Sequence, residues 1–424
     1  MLRGISFVPT FCVPALRGIS SAPAFSLPAF GRIFSIRMVG AAGPVIPIFT
    51  PLDDGGDDAI KNSDGFRFRF VSYNILAQVY VKSVYFPHSP SSCLKWKARS
   101  LAVLTDLKNL NADFLCVQEL DEYDNFYKGN MEKHGYSSIY VQRTGQKRDG
   151  CGIFYKHKSA ELMFSEEIHY NDLVDTIDCK NGSTEIGIVR SLKEVAKEAM
   201  TTEDLSNKND GGDYGDRDDP CVRLKRDCVG LLAAFKLNVP SEQVLVVANT
   251  HVYWDPALID VKLAQVKYLL SRISRFKKAI SNKFSCTPSV IVAGDFNSTP
   301  GDEVYEYITS TVPANVDHSA HHIRLCSLYG TNRGEPIFTN CTPDFTGTLD
   351  YIFLLDTRCL KVVSLLELPG PDSTDVVGGL PNHYHPSDHL PIGGEFELLS
   401  DACSSATDSL NDMDVNFVEL KLGE

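Results

Sequence analysis

TPSVIVAGDFNSTP, residues 287–300, decides how the rest of the chain is organised. Val290, Ile291, Val292 and Ala293 form an apolar run of β-branched and small residues, the pattern of a strand buried on both faces. Gly294 ends the run. Asp295 and Asn297 then follow two residues apart, so both side chains can point the same way from a strand end. Open α/β sheets place their chemistry beyond the carboxyl ends of such strands. Taken alone, D-x-N reads first as an Asx turn closing an ordinary strand. A site requires that other parts of the chain converge on it.

At 424 residues, 43% hydrophobic and 22% charged, the chain has ample core, enough for one large domain or two to three ordinary ones. No apolar run reaches the roughly eighteen uncharged residues that a membrane span needs. The net charge of −13 speaks against bulk electrostatic binding of polyanions, although metal-binding carboxylates would themselves add to it. Twelve cysteines occur without a single C-x-x-C pair, which argues against a structural zinc site or disulfide framework and for a reducing compartment.

Residues 1–52 hold no Asp or Glu but do hold Arg3, Arg17, Arg32 and Arg37 among many Ser, Ala, Phe and Pro. That is the composition of an organellar transit peptide, so residues 1–50 are expected to be a leader. The expected destination is the mitochondrion, with the chloroplast as alternative, and the cytoplasm or nucleus if the leader does not function. Without those four arginines the body carries −17. Residues 51–65 (PLDDGGDDAIKNSDG) read as a linker.

From Phe66 the texture changes. FRFRFVSYNIL alternates and then turns apolar, a strand delivering Asn74 at its end. Trp96, Leu101, Leu104, Leu107 and Leu110 recur at roughly helical spacing, with Lys95, Lys97 and Arg99 expected on the outer edge. DFLCV (113–117) is a second buried strand, and Gln118 and Glu119 close it. Further strands are expected at 136–141, 150–155, 229–237 and 244–248, the last running into Asn249, Thr250 and His251. A long amphipathic helix is expected from Pro256 to Phe276. TLDYIFL (348–354) has Asp350 embedded in it, and Ser387-Asp388-His389 precedes a final strand. Residues 171–227 read as a disordered, solvated insertion and 399–424 as an acidic tail. Strands and helices alternate across 66–398 without a central linker, which suggests one large α/β domain.

Asn74, Glu119, His251, Asp295, Asn297, Asp350, Asp388 and His389 therefore recur at one kind of place, the end of a buried strand. Glu119 alone could be a helix N-terminal acid, and Asp388-His389 a surface turn. Asp350 is harder to dismiss, because an acid inside an apolar run needs a partner. Jointly they point to a site. Glu, Asp and Asn oxygens without Cys suit a hard cation, Mg²⁺ or Mn²⁺. Two distant histidines, one backed by an acid, suit a phosphate contact and a proton carrier. No G-x-x-x-x-G-K-[ST] loop or G-x-S-x-G elbow is present. Metal-assisted phosphodiester hydrolysis is the class that fits.

SYNIL, CVQEL, RDGCGIF, NTHVYWDP, GDFNSTP, TLDYIF and SDHLP, in that order, resemble the endonuclease/exonuclease/phosphatase superfamily across about residues 66–398. WDPALIDVKLAQ and SYNILAQ resemble its carbon catabolite repressor 4 deadenylase branch, close to nocturnin and its relatives. The resemblance implies a four-layer α/β sandwich, two central sheets flanked by helices, as in deoxyribonuclease. It implies Glu119 as principal Mg²⁺ ligand, with Asn74 and Asp388 at a second metal position. It implies Asp295 and Asn297 on the attacking water and phosphate, His251 on the phosphate, and His389 handling protons while Asp350 holds it. Pro256 and Phe345 match residues that pack against a terminal adenine. The expected function is a Mg²⁺-dependent 3′→5′ exoribonuclease acting on the poly(A) end of RNA. Alternatives are a hydrolase of small adenylates, such as NADP(H) 2′-phosphate or 2′,5′-oligoadenylate, and a non-catalytic RNA-binding protein. The leucine-rich repeats of the yeast enzymes are absent, which leaves attachment to a deadenylase complex through them unsupported.

Several other residues compete for attention. His383 and His385 alternate as a metal pair would, but the adjacent Asp388-His389 already accounts for that segment. His318, His321 and His322 read as a surface loop. Arg143, Lys147 and Arg148 suit either an RNA path or a solvated face. Tyr253 and Trp254 read as packing their loop, with base stacking as the alternative.

Overall fold

The run at 290–293 is a strand, Ser289–Asp295, and all of its residues are buried. The computed structural model describes residues 44–52, 65–178, 219–238, 243–310, 323–355 and 359–399. The expectations for the leader before residue 44, most of the linker, the centre of the 171–227 segment, the three histidines at 318–322 and the tail beyond Leu399 lie outside these residues.

In chain order the first strands are β1 (Phe49–Pro51), β2 (Phe66–Asn74), β3 (Phe114–Gln118), β4 (Tyr136–Gln142), β5 (Gly150–Lys156), β6 (Ala160–His169), β7 (Val229–Leu237) and β8 (Val244–His251). They are followed by β9 (Ser289–Asp295), β10 (Cys326–Ser327), β11 (Asn340–Cys341), β12 (Thr346–Gly347), β13 (Asp350–Leu355), β14 (Leu360–Leu366) and β15 (Ile392–Leu398). One sheet has the order β1-β14-β15-β2-β3-β5-β4 and the other β10-β13-β9-β8-β7-β6, both mixed. The longer helices are α1 (Trp96–Leu110), α2 (Ile259–Phe284) and α3 (Glu303–Thr309).

The layers follow from strand alternation. Phe68, Phe70, Phe114 and Ile153 of the first sheet and Leu231, Phe235, Val247 and Ile291 of the second share one apolar core between the sheets. On the outer face of the first sheet, Val71, Leu115 and Val117 pack with Val103, Leu107 and Leu110 of α1. Each such buried aliphatic contributes about 1.5–3 kcal/mol. Val246, Ala248, Val290 and Val292 pack outward against Ala264, Leu269 and Ile273 of α2, spaced five and four residues apart along the helix. Helix, sheet, sheet, helix is the expected four-layer α/β sandwich.

Several local expectations need correction. β1 pairs with β14 at Phe49↔Leu366, so sheet structure begins inside the stretch read as leader and linker. The segment 171–227 has folded ends: Leu173 and Leu224 are buried, and Asn171 Oδ1 accepts from the Arg226 and Asp227 amides, both at 3.0 Å. α2 begins at Ile259, beyond Pro256, and continues to Phe284. On α1 the buried face is Arg99, Ser100, Val103, Asp106, Leu107 and Leu110, whereas Leu101 is exposed. Of the residues read at helical spacing, Leu107 and Leu110 are buried and Trp96 and Leu104 pack against the same core; only Leu101 is misplaced, because polar Arg99 and Asp106 share the inward face. β6 and β14 were not anticipated.

Register carries the strand ends to one rim. β2 and β3 run parallel with Asn74 opposite Gln118, so Glu119 follows beside Asn74. β8 and β9 run parallel with His251 opposite Asp295, and antiparallel β13 sets Asp350 opposite Asp295. Gly294 permits this closeness. Its φ is +151°, and a Cβ there would lie 2.0 Å from the Thr250 carbonyl oxygen.

Candidate active site

Asp295 is the centre. Only 1% exposed, it accepts the Asn297 amide on Oδ1 at 2.9 Å and the Asn74 side-chain amide on Oδ2 at 3.0 Å. The Nε2 atoms of His251 and His389 lie 3.5 Å and 3.7 Å from the same Oδ2. His389 Nδ1 is 2.7 Å from Asp350 Oδ2, which also accepts the Thr339 hydroxyl at 2.6 Å. An acceptor-only carboxylate on Nδ1 fixes the ring so that Nε2 faces Asp295.

The other sheet brings a second group. Glu119 Oε1 accepts from Asn74 Nδ2 at 3.2 Å and Oε2 from the Ala77 amide at 2.9 Å. Asn74 thus bridges Glu119 and Asp295 across the two sheets. Ser387 Oγ donates to the Asn74 carbonyl at 2.7 Å and accepts from the His389 amide at 3.2 Å, which ties Asp388 and its neighbours to the end of β2. Below the site, Gln118 Nε2 donates to Asn249 Oδ1 at 2.7 Å, and Asn249 Nδ2 reaches the Val117 and Gly152 carbonyls, a polar staple between the sheets.

Three site residues hold left-handed backbone: Leu76 (φ 57°), Glu119 (φ 52°) and Asn297 (φ 48°). Such strain costs about 1–3 kcal/mol each and persists only where neighbours impose it. Asn297 is held by its amide on Asp295, by Nδ2 on the Val252 carbonyl at 2.9 Å, and by Lys262 Nζ on its carbonyl at 2.7 Å.

The electrostatics divide the site. Burial pushes the Glu119 carboxyl up, the Asp388 and Asp149 charges push it further, and it reaches about 8. Crowded all-oxygen carboxylates of this kind fit a hard divalent cation, which would relieve their repulsion. Asp295, Asp350 and His389 also place one possible ligand atom each within 4.8 Å. His389 and Asp350 are already paired through Nδ1 and Oδ2, whereas Glu119 faces two further carboxylates, which favours Glu119 as a ligand. Burial lowers His389, but Asp350 and then Asp295 outweigh it and hold the imidazole well above its ordinary value. Burial dominates at His251 and lowers it, against the opposing pull of Asp295. Asp295 is raised, first by burial and then by Asp350.

Asn74, Glu119, Asp295, Asn297, Asp350 and His389 therefore meet in one network, with His251 in contact with Asp295 and half-buried Asp388 beside it. Pro256 and Phe345 stand outside that network on exposed loops. His383 and His385 do not pair: His383 Nδ1 meets Cys93 Sγ at 3.0 Å, and His385 Nε2 meets Asp375 at 3.2 Å. Arg143 is largely covered, 3.5 Å from buried Asp149 and bonded to the Asp227 and Arg226 carbonyls, while Lys147 and Arg148 are exposed. Trp254 is 62% exposed, which overturns its reading as a loop-packing residue. Arg99, placed on the outer edge by its neighbours, is 2% exposed. Sequence reading also missed Thr339, Lys262 and the role of Asn249. Only Lys262 carried a signal, as a cation on the apolar face of an amphipathic helix.

A family model described as the Endonuclease/Exonuclease/phosphatase family matches residues 71–389. Carbon catabolite repressor protein 4 homolog 4 of Arabidopsis thaliana is 58% identical over 338 residues, 79% of this chain and 78% of that protein. The CCR4-Not complex 3′-5′-exoribonuclease subunit Ccr4 of Yarrowia lipolytica is 29% identical over 373 residues, and the chain spans about half of its length (48%). Among solved structures, ANGEL2, a 2′,3′-cyclic phosphatase, in complex with adenosine-2′,3′-vanadate, aligns with a TM-score of 0.60 at 25% identity, covering 84% of this chain and 99% of that one. The human Nocturnin catalytic domain aligns at 0.54 and 21% identity, covering 83% and 97%. Motifs, fold, bonded site and relatives agree: the chain belongs to the endonuclease/exonuclease/phosphatase family, on its carbon catabolite repressor 4 branch.

Proposed function

We propose that this protein is a divalent-metal-dependent 3′→5′ exoribonuclease that removes adenylates from the poly(A) end of RNA. The observation that carries the chemistry is the Asp350–His389–Asp295–His251 series across adjacent strand ends, with Glu119 beyond Asn74. The Arabidopsis relative and the fungal exoribonuclease subunits support the substrate class.

A phosphodiester at neutral pH repels hydroxide and expels a poor leaving group. Mg²⁺, or Mn²⁺ in its place, held by Glu119 with Asn74 and Asp388 and as two ions in all, would supply charge neutralisation and a more acidic water. The residues do the rest. Asp295, aimed by Asn74 and by the Asn297 amide, takes the proton from the attacking water. His389 is the poorer base, because Asp350 and Asp295 favour its protonated form. It donates instead, toward the phosphate or the departing oxygen. Neutral His251 and the side-chain amide of Asn297 contact phosphate oxygens, and Pro256 and Phe345 pack on the terminal adenine. The acid-free, Arg-bearing leader supports delivery to the mitochondrion.

The ANGEL2 likeness favours one second reading, hydrolysis of small adenylates or cyclic phosphate ends. A panel at equal enzyme separates them: an A20 RNA, NADPH, a 2′,5′-oligoadenylate and an RNA ending in 2′,3′-cyclic phosphate. A shrinking A20 ladder with slower turnover of the others is the expected result. Turnover of the small or cyclic substrates alone would overturn the exoribonuclease reading.

A further inference from the structure

Arg99 sits in the first turn of α1 between exposed Lys95 and Lys97 and the apolar face, yet it is buried. Withdrawing a guanidinium from water costs several kcal/mol unless its donors are matched. They are matched here. Nε donates to the Pro386 carbonyl at 2.8 Å, Nη1 to Gln78 Oε1 at 2.9 Å, and Nη2 to the Ile75 and Leu76 carbonyls at 2.7 Å and 2.6 Å.

All four acceptors belong to two loops. One leaves β2 directly after Asn74, and the other reaches Asp388 two residues after Pro386. The first turns through left-handed Leu76, and that turn presents the Ala77 amide to Glu119 Oε2. Near the metal position the second is tied to the first by Ser387 on the Asn74 carbonyl and by Arg99 itself; His88 on the Leu380 carbonyl and Cys93 against His383 join the two loops farther along both. Asn74, Glu119 and Asp388 come from three separate chain segments, so their spacing depends on how these loops are clamped. We propose that Arg99 is a positioning residue that sets divalent-cation affinity by fixing the spacing of Asn74, Glu119 and Asp388. It does not act on proton transfer at Asp295. The proposal rests on the reading of those three residues as the metal position.

The rigid planar fork meets four acceptors on two loops at once, more than the three donors of an ammonium can match. Arg99→Lys and Arg99→Met would be purified, checked for folding by circular dichroism, and titrated with Mn²⁺ by electron paramagnetic resonance without RNA. Residues that orient metal ligands typically change affinity about 10–100-fold, and a Kd at least about tenfold weaker is expected for both variants. At saturating metal, Arg99→Lys is expected to regain hydrolysis with an unshifted pH profile. A folded variant with wild-type Mn²⁺ affinity overturns the proposal, as does one whose pH profile moves while the Kd stays. Should neither fold, Gln78→Leu removes one of the four contacts and is expected to weaken Mn²⁺ binding by a smaller factor; unchanged affinity there overturns the proposal equally. Glu119→Gln is the control. If it leaves Mn²⁺ binding intact, the metal position itself is misplaced, a failure distinguishable from that of Arg99.

Discussion

The two sheets contribute to the site in different ways. On the β8–β9–β13 side, His251, Asp295 and Asp350 stand opposite one another by strand register, and their charges satisfy one another through His389. On the β2–β3 side, Glu119 and Asp388 lie on loops, and their charges oppose one another and Asp149. In the first half, opposite charges face one another. The second is an arrangement whose repulsion a cation would relieve. Proton handling and metal holding are thus assigned to halves with different physics, and Asn74 joins them.

The largest expected effect falls on the register-held half. Asp295→Asn keeps the shape but only one of the two accepted amide contacts, and it removes the base, so kcat should fall about 10²–10⁴-fold or more with an unchanged circular dichroism spectrum. Near-wild-type turnover in a folded variant would dismantle the assignment. Asp350→Asn should act through His389. Losing the charge that holds the imidazole protonated lowers its pKa, so the alkaline limb of the kcat/KM profile should move to lower pH. A limb that stays in place would remove His389 from the acid role.

The loop-held half should answer to metal. Without a cation, Glu119 in the folded chain is held near 8 against about 4.5 in the unfolded chain. Between those values the folded state keeps a proton that the unfolded state has released, so metal-free stability falls as pH rises through that window. A cation at Glu119 cancels that loss, and at lower pH it must first displace the proton. The rise in Tm on adding Mg²⁺ over EDTA should therefore be larger at pH 8 than at pH 6. An equal rise at both would show that Glu119 is not the ligand.

Smaller effects lie outside both halves. Trp254, exposed between His251 and Pro256 in the chain, is expected to stack a base. Trp254→Ala should raise KM for RNA by the equivalent of about 1–3 kcal/mol, with kcat nearly unchanged. An unchanged KM would return Trp254 to a bystander. A reporter fused to residues 1–50 should enter mitochondria, and purely cytosolic fluorescence would remove the targeting proposal.

What the sequence made legible follows from the same division. Strand ends could be read because apolar runs of fixed period stop at a polar residue, as at Asp295, His251 and Asn74, and the fold follows from such runs alternating with helices. Arg99 could not be read, since its burial depends on carbonyls near residues 75 and 386 that no local pattern announces. Leu101 misled for the complementary reason: an apolar residue at helical spacing says nothing about which face the sheet covers. β1 was too short to show a period, and Leu173 and Leu224 were hidden by the polar composition between them. Thr339 lay outside every run.

The central claim is that these two halves together hydrolyse adenylate ends of RNA with a bound divalent cation. An A20 RNA labelled at its 5′ end, followed with Mg²⁺ and with EDTA, tests it most directly. The expected result is a ladder that shortens one nucleotide at a time from the 3′ end in Mg²⁺ and no products in EDTA. An intact A20 in Mg²⁺, or equal degradation in EDTA, would contradict it.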